Sequence, residues 1–122
     1  MKRIILISVF VLLSQPVQAF QNDYNYALRY CDLITTISRL AATLKMNDAD
    51  KEDAIQYFQN IDDQSIKSIS EDMVKQLLNE AYLIPIEYDQ DLQRQVIKDF
   101  SDKNKSECLE QTIKAEQNSK SK

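Results

Sequence analysis

From residue 24 onward, apolar side chains recur along the chain at three- and four-residue steps, the spacing that lines one face of an α-helix. The first such stripe runs Tyr24, Ala27, Leu28, Cys31, Ile34, Ile37, Leu40, Ala41 and Leu44. It predicts a helix from Asn22 or Asp23 to about Met46, with Asp23 as N-cap. The stripe is wide, so this helix is expected to be contacted from more than one side. Asn47-Asp48 breaks the pattern and is read as capping a short helix over 49–60, with Ala54, Ile55 and Phe58 inward and Ile61 just beyond. Asp62 to Ser65 is a polar connector. A third helix starts between Ser65 and Ser70 and ends near Leu83, its seam formed by Ile66, Ile69, Met73, Leu77, Ala81 and Ile84. Val74 and Leu78 widen that seam. Ser70 followed by Glu71 and Asp72 is a good helix start. Pro85 forces a stop, because it pushes the residue before it out of the α region. Tyr88-Asp89 opens a fourth helix to about Lys103 on Leu92, Val96, Ile97 and Phe100. Asp102 to Ser106 is polar enough to predict a bend, after which Cys108, Leu109 and Ile113 continue the apolar thread. From Glu116 the chain is polar and is expected to be a disordered tail, residues 116–122.

Ahead of these helices stands a different pattern. Lys2 and Arg3 precede an apolar run from Ile4 to Leu13 broken only by Ser8, and Val17-Gln18-Ala19 ends it with small residues at two positions. A charged start, a short apolar centre and an A-x-A-like site are the parts of a secretory signal peptide, cleaved after Ala19. A membrane anchor is the rival reading, but the run gives only about 15 Å of helix against a ~30 Å hydrocarbon core. The residue after the site is Phe20 and not cysteine, which argues against a lipid anchor. The expectation is a signal peptide over 1–19, a helical domain over 20–115 and a periplasmic protein without a membrane span.

Composition sharpens the fold. The 122 residues include no glycine and two prolines. The favoured hairpin turns need glycine or asparagine at positive φ, so a sandwich or barrel is disfavoured. The expected fold is all-α, a compact bundle of four to five helices. Its two cysteines, Cys31 and Cys108, read as one disulfide in an oxidising compartment. Closing that loop would contribute about 4 kcal/mol in the chain-entropy account, against a total stability of about 5–15 kcal/mol. Paired free thiols for redox chemistry are the alternative, and they lack the C-x-x-C spacing that would support them. Losing Lys2 and Arg3 with the signal moves the formal net charge of −4, from 15 basic and 19 acidic residues, to −6. An acidic surface disfavours nucleic acid and anionic lipid and suits a basic protein partner.

Candidate chemistry is thin. Without histidine the chain lacks Ser-His and Cys-His nucleophiles and most zinc sites, and without glycine it lacks a phosphate loop. Tryptophan, the usual platform for sugars, is absent too. No carboxylate pair stands out among nineteen acids, so neither an enzyme nor a cofactor or metal is expected. Asp48, Asp50 and Glu52 imitate the start of an EF-hand, but Asp53 stands where glycine makes the turn and Gln59 where a bidentate glutamate closes the site. That segment is read as a solvated acidic helix start that offers a negative patch. Of the six tyrosines, Tyr26 and Tyr88 are expected to be exposed and the others to lie in or at the edge of the core.

The order of marks is a cysteine on a long first helix, then Glu80-Ala81-Tyr82-Leu83-Ile84-Pro85 ending an inner helix, a helix bearing Phe100, and Cys108. Over roughly residues 24–110 this resembles the Tai/Rap group, the secreted immunity proteins of type VI secretion amidase effectors. The resemblance implies protein–protein inhibition: plugging the cleft of a peptidoglycan-cleaving toxin in the periplasm, in many members as a homodimer. The acidic loop at Asp48–Asp53 and the glycine-free connectors have no counterpart in that group. A basic cell-wall hydrolase is the expected partner. The expected binding residues are the acids between helices, Asp48, Asp50, Glu52, Asp53, Asp62 and Asp63, and the corner Glu87, Tyr88 and Asp89. A small periplasmic stress chaperone and an accessory subunit of an envelope complex are the alternatives.

Overall fold

The computed structural model describes residues 25–120, with side chains as far as residue 115. The expected signal peptide, its cleavage site and the Asp23 cap lie outside the described residues. The chain divides into two units, Met1–Tyr30 and Cys31–Lys122. Of the first, residues 25–30 are helical and Tyr26 is exposed, as expected. The architecture below is that of the second.

The described residues form five helices and no strand. Helix α1 covers residues 25–46. It ends in a Schellman motif: Ala49 N–H donates to Leu44 O and Asp48 N–H to Lys45 O, each at 3.0 Å. Asp48 takes the left-handed conformation this stop requires, at φ 60°. Glycine usually fills that position, and this chain has none. Asn47-Asp48 therefore closes α1 instead of capping the next helix.

That role passes to Asp50, which precedes α2, Lys51–Asn60. α2 buries Ala54 and Phe58 and packs against α4. The predicted third helix is two helices. A single turn, α3 (Gln64–Lys67), is capped by the Asp63 carboxylate, which accepts from Ser65 and Ile66 N–H at 2.9 and 3.3 Å. α4 (Glu71–Tyr82) starts from Ser70, whose hydroxyl accepts from Met73 N–H at 3.2 Å. Ser70 and Asp63 each have a side-chain oxygen able to reach forward to free N–H groups, so the segment between them restarts instead of running through. α4 buries Leu77, Leu78 and Ala81 and stops at Leu83, two residues before Pro85.

α5 (Gln90–Lys120) is a single helix of 31 residues, capped by Asp89 through Asp91 and Leu92 N–H at 2.8 and 3.2 Å. The bend expected at Asp102–Ser106 does not occur, and the backbone stays helical through the first residues of the expected tail. Polar residues in this stretch bond back into the helix instead of breaking it. Ser101 donates to Lys98 O at 3.0 Å, Asn104 donates to Phe100 O at 3.0 Å, and Lys98 pairs with Asp102 at 2.8 Å. Without glycine or proline nothing in the sequence stops the helix, and polarity alone does not.

The core draws Ile34, Ile37, Ala41 and Met46 from α1, Ala54 and Phe58 from α2, Ile66 and Ile69 from the α3 region, Leu77, Leu78 and Ala81 from α4, and Phe100 from α5. α1 also buries Thr35, Ser38 and Ala42, so the wide stripe continues onto a second face. Cys31 and Cys108 are joined as a disulfide with a Cα–Cα distance of 5.6 Å, linking α1 to α5. No helix among the described residues is long and apolar enough to cross a membrane.

Candidate interaction surface

Two connections far apart in sequence are tied together by side chains. The Tyr82 hydroxyl, on the last turn of α4, donates to Ala49 O at 2.8 Å, fixing the turn between α1 and α2. The Lys45 ammonium lies 5.3 Å from the centre of the same ring, within cation–π range. Gln93, on the first turns of α5, donates through Nε2 to Glu87 O at 2.6 Å and to Met46 O at 3.4 Å. The α1–α2 turn and the α4–α5 connection thus form one side of the unit. Burial pushes the Tyr82 phenol above its usual 10.0, and the nearby Asp50 and Asp53 carboxylates push it the same way.

This side carries an unusual amount of exposed apolar surface. Leu83, Tyr88 and Leu92 leave 83%, 90% and 52% of their area open to solvent, all within residues 83–92. Tyr57 and Ile113 are the other exposed large apolar residues of the unit, elsewhere on α2 and α5. Exposed leucines and tyrosine in one short connection are the composition of an interface centre and cost solubility unless something covers them.

The two tethered connections also carry carboxylates. Asp48, Asp50, Glu52 and Asp53 come from the α1–α2 turn and the start of α2, and Glu87 and Asp89 from the α4–α5 connection. All are exposed except the half-buried Glu87. None makes an ion pair with another described residue; Asp89 is engaged instead as the α5 cap. Asp62 and Asp63 lie elsewhere, beyond the far end of α2, roughly 15 Å of helix away. Asp62 pairs with Lys67 at 3.8 Å and Asp63 caps α3, so both have local structural work.

Asp48, Asp50, Glu52 and Asp53 thus stand on one of two tethered connections and Glu87, Tyr88 and Asp89 on the other, while the Asp62–Asp63 pair lies apart. Sequence reasoning missed Leu83, read only as the end of a helix, and Leu92, whose spacing matched the core seam of α5. It also missed Tyr82 and Gln93 as tethers. The one available signal was position: Leu83 sits where Pro85 ends a helix, and Leu92 sits in the first turn of α5, where neighbouring helices no longer cover the seam. Neither a family model, nor a curated protein, nor a solved structure matches the chain.

Proposed function

We propose that the chain is an exported binding protein that inhibits a basic, peptidoglycan-degrading enzyme, in the manner of an immunity protein, using the side formed by the α1–α2 turn and the α4–α5 connection. The observation that carries this reading is the exposure of Leu83, Tyr88 and Leu92, all within residues 83–92, beside a connection that is tethered to the acid-bearing α1–α2 turn. Apolar anchors supply the affinity of such a contact, and the acids steer a basic partner onto it. Wall hydrolases tend to be basic because their substrate is anionic, which matches the acidic balance of this chain. The resemblance to the Tai/Rap group and the signal-like start point to the same compartment and the same kind of partner.

The test is capture of a wall hydrolase by the purified protein, followed by inhibition of that hydrolase on peptidoglycan and rescue of cells expressing it in the periplasm. Capture and inhibition by the wild type, both lost with Tyr88→Ala plus Leu83→Ser, is the expected result. A protein that binds no hydrolase and rescues no cells sinks the reading.

A further inference from the structure

Three links set the register between α1 and α5: the Cys31–Cys108 disulfide, the Lys105 ammonium 3.4 Å from Asp32, and Gln93 reaching Met46 O at 3.4 Å. The helices run antiparallel, and that register puts Thr35 opposite Asn104 and Ser38 opposite Ser101. All four are buried, with Ser38 and Ser101 at 0% and 1% exposure. Each spends its side-chain hydrogen bond on its own helix. Thr35 donates to Cys31 O and Ser38 to Ile34 O, both at 2.7 Å, while Ser101 and Asn104 donate to Lys98 O and Phe100 O. Among the described residues these four side chains make no hydrogen bond from one helix to the other; besides the disulfide, this half of α5 reaches α1 through the Lys105–Asp32 pair and a 3.9 Å contact of Thr112 Oγ1 with Cys31 Sγ.

The apolar hold of α5 lies in its first half, on Phe100 with the half-buried Val96 and Ile97. Beyond Phe100 the apolar side chains other than cysteine are Leu109, which is half-buried, and Ile113 and Ala115, which are exposed. Small polar residues let the helices approach closely but contribute little of the apolar transfer that drives docking.

We propose that the disulfide, and not packing, fastens the second half of α5, residues 101–115, to α1, so that this half docks only in the oxidised protein. Cys108 is half-buried and Cys31 fully buried, so a dithiol reaches the pair through Cys108. One thiolate of the dithiol attacks the Cys108 sulfur and displaces the Cys31 thiolate. The second thiolate then closes the dithiol into its own cyclic disulfide and releases Cys108. Two electrons and two protons pass to the protein, which holds two thiols. The released half keeps the exposed Lys105–Asp32 pair and the small polar seam of Ser101 and Asn104, and a helix of that length is marginal by itself in water. This device stands whether or not the inhibitor reading holds. Where the chain meets an oxidant only after export, docking of this half follows translocation.

Amide hydrogen exchange on the full chain tests it, comparing oxidised protein, protein in dithiothreitol, and the Cys31→Ser plus Cys108→Ser variant. Amides over 101–115 should exchange at least about ten-fold faster in the latter two, while those of α4 keep their protection. Retained protection over 101–115 on reduction overturns the proposal, and so does loss of protection in α4 alongside it. An apolar seam supplies the converse arm: adding Ser101→Ala and Asn104→Leu to the serine variant should recover at least about ten-fold protection over 101–115. Failure to recover it means that something other than the polar seam undocks the helix, which also overturns the proposal.

Discussion

Asp48 shows how one residue type, forced by the absence of another, leaves a measurable trace. Its φ of 60° closes the Schellman motif of α1, but a residue with a Cβ pays about 1–2 kcal/mol for the left-handed region. Glycine escapes that cost and gives part of it back in unfolded-state entropy. Asp48→Gly should therefore stabilise the protein by about 0.5–1 kcal/mol, read as a higher denaturant midpoint at unchanged slope. Asp48→Val should do the opposite. Tyr82 is the second informative residue. Tyr82→Phe removes the bond to Ala49 O and should cost about 1 kcal/mol. The phenol's pKa is raised in the folded chain, so its contribution to stability is complete below about 10 and is lost as pH climbs through the folded value. The difference in stability between wild type and Tyr82→Phe should narrow on that alkaline side, and equilibrium unfolding from pH 8 to 11 would measure it. A constant difference would mean that the phenol titrates alike in both states.

At the scale of elements, helix starts and stops were the most legible feature of the sequence. Ser70, Pro85 and Asp89 mark boundaries where they were expected, because each acts through its own backbone or side chain within four residues. One error arose where a polar run was read as a break. Asp102–Ser106 looked like a bend because five polar residues stand together, yet the run is polar for two separate reasons. Asp102, Lys103 and Ser106 face solvent, while Asn104 faces α1 and bonds to its own helix. Which face of a helix a second helix covers depends on contacts far along the chain, and no local window contains that. Four residues precede helices and differ in whether a side chain caps. Asp63→Ala, Ser70→Ala and Asp89→Ala should each cost about 1 kcal/mol. Asp50 makes no side-chain cap bond, so Asp50→Ala should cost well under half of that, leaving only its charge at the start of α2. Parallel urea titrations of the four variants would separate the two classes.

For the whole molecule, the helical class and the disulfide were readable because both follow from composition: no glycine for hairpins, and two cysteines with one possible pairing. The acids of the candidate surface were readable as charges but not as a set. Their meeting depends on Tyr82 reaching Ala49 and on Gln93 reaching Met46, separations of 33 and 47 residues. That arrangement divides the proposed interaction between two kinds of residue, and the division can be measured. Rim carboxylates act at a distance, so they govern the rate of encounter and are screened by salt over about 8–10 Å. Exposed anchors act only on contact, so they govern how long a complex lasts. With the captured hydrolase on a sensor surface, Asp50→Lys plus Asp53→Lys should slow association by about ten-fold at low salt, with the gap closing as salt rises. Tyr88→Ala should leave association nearly unchanged and speed dissociation by about thirty-fold, equivalent to about 2 kcal/mol. The Asp62→Lys variant is the control, because Asp62 sits beyond the far end of α2 and already pairs with Lys67. If it slows association as much as the Asp50 and Asp53 reversals do, only net charge matters, and the α1–α2 turn loses its special place in the surface.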